Sequence, residues 1–541
     1  MEILTPQIIW KGYDASALPL SASVLSDKTE NGVRTVLAYF NGPTTTDGVA
    51  RVFVRCVLPV ADKPVPAVVY MPDAHRPVSA VDVSYLVRDG YAAVLPDYAG
   101  EREDDARYTL YPRSMACANF TPDCLTEVPD DVRVNCWIIW AETLMRAVTF
   151  AASLDGVDAG RIAVAGDGIA AASVLKAAAV DGRVKCAVTL FSPGYRPEET
   201  EGRDYLSYKV ALDGAAYAPM IKVPLLMMLS SNEQDDSTDD MSEIFELIPP
   251  ESGSRLSISE RTSHAFGVKQ KNNVSLWLAY HLKGIGSVPG APELAVSCEE
   301  RRLRFSVTAP EDCDDVELFA SQAMPRGSLR NWRRTIPEKT ENGEYVAYAD
   351  VYDIKQPVYA FANVCPHDGG MSVSTPVLSR VPALLGVAET PVKSSRLVYD
   401  GDMGTDDWMV QSPLAEKDTL TMAPGPFGIP GVSSALGTMS TFKIGDAAYR
   451  GRGSLLLQIM IYSAVDQTVT FTVVARGDEE DDGYTSYSYS ATLSPSDEWR
   501  KLTLAATDFK SPHAAGMEWE NAVYLRVDSD APVAISSMIW V

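Results

Sequence analysis

Basic residues and histidine are both scarce in this chain. Lys and Arg number 47 against 72 Asp and Glu, a formal charge of -25 at neutral pH, and the histidines are five: His75, His264, His281, His367 and His513. Affinity for a phosphate backbone rests on neutralising it with Lys and Arg, so this balance opposes a nucleic-acid partner and equally an anionic membrane surface. A run of about 18 uncharged apolar residues, the length that spans a bilayer, is also missing. The opening "MEILTPQIIWKGYD" lacks the basic stretch and apolar run of a leader, so a cytoplasmic protein is expected. The eight cysteines include no Cys-x-x-Cys pair and read as reduced, mostly buried thiols. Cys365 and His367 in "NVCPHDGG" come nearest to a metal grouping, but further ligands at useful spacing are wanting; neither a metal nor another cofactor is expected.

What is present is an ordinary globular composition, 46% hydrophobic and 22% charged. At 541 residues the chain is too long for one core, and roughly two to four domains are expected. Residues 30 to 60 carry two strand signals, "RTVLAYF" and "ARVFVRCVL", bridged by "NGPTTTDG", a hairpin pattern. From Pro66 apolar strands alternate with helical segments: "AVVYM", "AVDVSYLVRDG", "YAAVL", a helix from about Val134 to Leu154, "RIAVA", "IAAASVLKAAAV", "VKCAVTLF", "VPLLMML", "MSEIFELI", "RLSISE" and "VSLWLAYHLKG". That alternation predicts a mostly parallel sheet with helices on both faces over residues 1–288. Beyond "KGIGSVPGAPE" helical periodicity stops. Short, regularly spaced strands over 289–392 predict an immunoglobulin-like sandwich, and longer ones over 393–541 a jelly roll. The acidic runs "DDSTDD" and "GDEEDDG" read as solvated loops.

The stretch with most chemical content is "RIAVAGDGIAAASVLKAAA", a strand, a glycine-rich turn and a helix. A nucleophile elbow has this layout and needs small residues two before and two after the nucleophile. Centring on Gly168 gives Gly166 and Ala170, which suit the tight turn; centring on Asp167 gives Ala165 and the β-branched Ile169, which suits it badly. The nucleophile position therefore falls on Gly168, which carries no hydroxyl or thiol.

"RIAVAGDGIAAAS" resembles the elbow of the dienelactone hydrolase and acetyl xylan esterase group of α/β-hydrolases, with Gly168 where their serine stands. "RDGYAAVLPDYAGE" and "VPLLMMLSSNEQDD" resemble two further segments of that group, the second placing Glu233 where the catalytic acid is expected, and "ERTSHAFG" places His264 where the histidine falls. The resemblance spans residues 60 to 285 and implies an α/β-hydrolase fold and an esterase ancestry. In a triad the serine attacks the carbonyl and the histidine takes its proton, so the resemblance implies an esterase without its nucleophile. Such a protein would bind a small acylated or sugar-like ligand, or a partner protein. The alternative is an active ester hydrolase that uses Asp167 as nucleophile or a water activated by His264 and Glu233. His75, in "YMPDAHRP", falls where such enzymes build their oxyanion loop. Tyr108, Tyr111 and Phe120, in the long loop before the helix, either shape the ligand pocket or pack over the sheet edge. In the terminal domain Trp408, Tyr449, Tyr484, Tyr487 and Trp519 are candidate sugar-stacking faces if exposed, and core residues if not. The oligomeric state is not legible in the sequence.

Overall fold

The computed structural model describes residues 4–541 apart from 74–77, 80–82, 101–106, 120, 126–127, 192–200, 234–236, 368, 389–392, 411–419 and 477–482. Nine strands form the first part of a large mixed sheet: β1 (Ser23–Glu30), β2 (Val33–Thr45), β3 (Gly48–Pro59), β4 (Val65–Met71), β5 (Ala92–Pro96), β6 (Val157–Asp167), β7 (Cys186–Leu190), β8 (Leu225–Ser230) and β9 (Arg255–Ser259). Their spatial order is β1-β2-β3-β5-β4-β6-β7-β8-β9. The first three strands form an antiparallel meander, whereas β5, β4, β6, β7, β8 and β9 pair in parallel. Strands β5, β7 and β8 are buried along their whole length, as near-continuous apolar runs must be when helices cover both faces.

One face is covered by the helices Cys136–Ser153 and Ala171–Val180, the other by Ser84–Arg88 and Asn273–Leu278. The longest, expected over 134–154, starts where the Asn135 side chain accepts the Trp137 amide at 2.9 Å, an N-cap.

The second unit does not stand apart from the first. Its strands are β10 (Glu293–Glu299), β11 (Arg302–Thr308), β12 (Asp315–Gln322), β13 (Arg333–Thr335), β14 (Glu338–Lys339), β15 (Tyr345–Ala349), β16 (Val358–Cys365), β17 (Val373–Ser374) and β18 (Leu378–Arg380). One sheet, β10-β11-β15-β14, is separate; the other runs β17-β16-β12-β13, with β18 also on β16. Ser374 of β17 pairs with Leu256 of β9, so this second sheet continues the large one, to fourteen strands among the described residues. Trp277 and Leu278 of the α/β unit share a hydrophobic cluster with Phe305 and Val364 of the second unit. The segments on either side of residue 288 thus share a sheet and a hydrophobic cluster.

The third unit is an antiparallel two-sheet sandwich. Among the described residues six strands lie in one sheet and four in the other, and Ile459, Phe471, Leu525 and Ile535 meet between them. Of its five candidate stacking residues, Trp408, Tyr487 and Trp519 are buried in that core. The Arg326 guanidinium lies 5.1 Å from the Tyr484 ring centre and Lys443 Nζ 4.4 Å from that of Tyr449. For these three rings the core alternative holds, because the space between two apolar sheets takes the large side chains first. Among the described residues no helix is long and apolar enough to cross a membrane.

Candidate functional site

The turn after β6 has the compactness an elbow requires. A Cβ at Gly166 would come within 2.8 Å of the Ala170 carbonyl and of Val174 Cγ2, so only glycine allows the helix to start this close to the strand. Gly168 is the apex, with φ of +54°, a left-handed conformation that side chains rarely adopt. Asp167, one residue earlier, is extended and buried at the end of β6. Gly168 thus forms the apex of the turn, with Asp167 beside it.

The space above Gly168 belongs to Asp73, the second residue after β4. A Cβ built on Gly168 would fall well inside contact distance of Asp73 Oδ2 and 3.0 Å from its Cγ. The same Oδ2 accepts the amide of Ile169 at 3.3 Å. One carboxylate thus fills the space above the apex and accepts the first amide after it. Asp73 was not among the residues expected from sequence; the only signal was an acid directly following the first parallel strand in "YMPDAHRP". His75 of the same segment lies outside the described residues, as does Phe120.

His264 faces this arrangement from the loop after β9. Its Nδ1 is 3.5 Å from Glu233 Oε1 and its Nε2 is 3.9 Å from Asp167 Oδ1. Its backbone amide donates to Glu233 Oε2 at 3.1 Å, so the acid grips the histidine twice. Glu233 is buried, and about a third of the imidazole is open to solvent (35%). The hydrogen bond with Glu233 raises the imidazole pKa above its ordinary value; burial opposes this, and the charges of Glu233, Asp167 and Asp73 add to it. Phe191, which follows β7, forms a wall: its ring centre is 4.6 Å from that of His264 and 4.7 Å from that of Phe266. Phe191 and His264 both sit at positive φ, +48° and +51°. Non-glycine residues hold such conformations only where the surroundings enforce them.

The two tyrosines of the long loop have contacts of their own. Tyr111 donates its hydroxyl to the Tyr98 carbonyl at 2.8 Å, and burial in the main core pushes its phenol pKa up. This contact is of the packing kind that the sequence left open beside a ligand-binding role. The Tyr108 carbonyl accepts the Tyr39 hydroxyl at 3.2 Å, tying the loop to β2.

The chain matches no protein-family model, and no curated protein sequence matches it. Among solved structures it is similar to the acetyl xylan esterase from Paenibacillus sp. R4, with 17% identity, a TM-score of 0.38, and coverage of 50% of this chain and 91% of that one. It is also similar to acetyl xylan esterase 1 from Thermoanaerobacterium sp. JW/SL YS485, with 14% identity, a TM-score of 0.36, and 50% and 89% coverage. A glucuronoyl esterase from Solibacter usitatus gives 15% identity, a TM-score of 0.36, and 50% and 87% coverage.

Proposed function

We propose that the N-terminal unit is an α/β-hydrolase that has lost acyl transfer and keeps its pocket as a binding site for a small acylated or sugar-like ligand. One observation carries this reading. The carboxylate of Asp73 stands where a serine side chain would begin and takes the Ile169 amide that would stabilise an oxyanion. An ester carbonyl arriving there meets, in place of a serine hydroxyl and the Ile169 amide, a negative charge that repels the developing oxyanion. The immunoglobulin-like and jelly-roll assignments of the two C-terminal units, and a cytoplasmic location, belong to the same proposal.

The test is hydrolysis of p-nitrophenyl acetate by wild type beside His264→Ala, with melting temperature followed against a panel of acetylated sugars. The reading expects equal background rates and a rise in melting temperature with at least one ligand, since a ligand that binds only the folded state stabilises it. Turnover by wild type that His264→Ala abolishes overturns it.

A second reading has its own observation: His264 Nε2, the nitrogen that faces the nucleophile in a triad, here faces Asp167 Oδ1. On that reading Asp167 attacks the ester, or His264 with Glu233 activates a water. Loss of turnover in Asp167→Asn as well as His264→Ala identifies the former, and loss in His264→Ala alone the latter.

A further inference from the structure

The loop that carries Glu233 is held from outside the α/β unit. Asn232 donates its side-chain amide to the carbonyls of Ser328 at 3.2 Å and Arg330 at 2.8 Å, both in the segment before β13 of the second unit. Trp332 of the same segment donates its indole N–H to the Ser231 carbonyl at 3.2 Å. From the histidine's side, Arg261 donates Nε to the Trp332 carbonyl at 2.7 Å and its backbone amide to Ser231 Oγ at 2.7 Å. The Arg261 guanidinium also donates to the Asp406 carbonyl in the third unit. The Asn232 amide donates to the Thr262 carbonyl at 3.0 Å, joining the acid loop to the histidine loop.

The segment itself is anchored by Arg330, whose side chain is fully buried. Its guanidinium forks onto Asp239 at 2.7 and 2.5 Å, donates to the carbonyls of Met324 and Pro325, and stacks 3.5 Å from the Tyr359 ring centre. A planar fork of this kind fixes orientation as well as charge.

We infer that the segment Ser328–Trp332 is the positioning element of the Glu233–His264 pair, so that the second and third units complete a site whose reactive groups lie in the first. A contact surface that merely holds two units together needs apolar area and satisfied polar groups anywhere along it. Here the hydrogen bonds converge on Ser231 and the Asn232 side chain, next to Glu233, and on Arg261, three residues before His264. Arg261 shares the positive φ of His264, +51° at each. Two such residues in one short loop require outside support, and the Trp332 carbonyl and the Asp406 carbonyl supply it through Arg261. The inference rests on the proposed reading only in taking the pair as the working remnant of the site.

The test uses the full chain with 13C-labelled histidine, following the His264 ring signal against pH by NMR, the signal being assigned by its loss in His264→Gln. Wild type should titrate above the ordinary imidazole midpoint of about 6.5. Trp332→Phe, which removes the indole donor but keeps an aromatic ring, and Arg261→Leu should each lower the midpoint to about 6.5 while the protein still melts cooperatively. Arg261→Lys, which retains a donor, should restore it at least in part. Midpoints unchanged in both folded variants overturn the inference and leave the segment as an interface only. A wild-type midpoint already at about 6.5 overturns it too, because no coupled pair then exists to be positioned. Ester turnover plays no part in this readout, so a catalytically active wild type would overturn the proposed function and leave this inference standing.

Discussion

The elbow and the acid–base loops meet at one imidazole and differ in what they have kept. The elbow is a matter of shape: Gly166 lets the helix approach, the apex lies at positive φ, and Asp73 fills the space above Gly168. The acid–base loops retain their chemistry, with Glu233 on His264 through both side chain and backbone, and have acquired supports from the rest of the chain. On the proposed reading the nucleophile is lost while the pair is kept, as selection for binding and not turnover would leave it. It also makes the two halves of the site separable by mutation.

The largest effect belongs to the supported half. Arg330→Ala strips a buried cation from Asp239 and leaves the Met324 and Pro325 carbonyls without their donor, which should cost about 3–5 kcal/mol, read as a lower urea midpoint. If the loss is under 1 kcal/mol, the segment is not held by its arginine, and the contrast between the halves weakens.

On the elbow side, Gly168→Ser alone should fail as a repair. The new Cβ would run into Asp73 at a backbone angle that resists side chains, a cost of about 1–3 kcal/mol. No ester hydrolysis should appear. Adding Asp73→Gly clears the space and frees the Ile169 amide, so the double variant should regain stability and release p-nitrophenol in a His264-dependent way. Activity in Gly168→Ser with Asp73 intact would mean the carboxylate swings aside, and the elbow would count as merely vacant, not blocked.

A smaller effect lies behind the elbow, on the helix Ala171–Val180. Lys176 is buried with its Nζ 5.0 Å from the Tyr217 ring centre and 5.7 Å from that of Trp137, and burial pushes its pKa down to about 8 despite the charge of Asp213. The folded state then binds fewer protons than the unfolded one between pH 8 and the ordinary 10.5, so stability should rise with pH across that window. At pH 7 the charge is a burden only partly offset by the rings. Lys176→Met should therefore stabilise by on the order of 1 kcal/mol at pH 7, with the gain shrinking toward pH 10.5. Destabilisation at pH 7 would show that the cation contributes more to the core behind the elbow than its desolvation costs.

Much of the first unit was legible because its signals are local. Apolar runs marked the parallel strands, 3.6-residue periodicity gave the helix over 136–153 to within two residues at its start, and small residues at 166 and 170 located the elbow apex. Glu233 and His264 stood out as candidates because they lie a few residues past recognisable strands, three past β8 and five past β9. Asp73 could not, since its role depends on how the loop after β4 turns over a glycine far along the chain. The segment 328–332 reads as an ordinary connection between strands, and nothing in "SLRNW" says that its carbonyls face Asn232. The continuation of the sheet across Ser374 and Leu256 rests on one residue pair in a two-residue strand, too short for alternation to register. What was missed is in each case a contact between distant segments, where local pattern carries no information.

The smallest effect tests the electrostatics of the pair itself. His264 is bound to Glu233 and faces Asp167 and Asp73, so its folded pKa lies above the unfolded value. A raised histidine pKa contributes stability that is fully present below the unfolded value of about 6.5 and is lost as pH rises through the folded one. Wild type should therefore exceed His264→Gln in stability at pH 6, and the gap should close toward pH 9. With the imidazole a third exposed, solvent screens the pair, and the gap should amount to only about 0.2–1 kcal/mol, falling further at high salt. Melting curves of both proteins at the two pH values, at low and high salt, measure it. A gap that is flat with pH would mean that His264 is held by the Phe191 wall and its backbone, with the carboxylates as bystanders. The acid–base half would then be a preserved shape like the elbow, and the distinction between them would disappear.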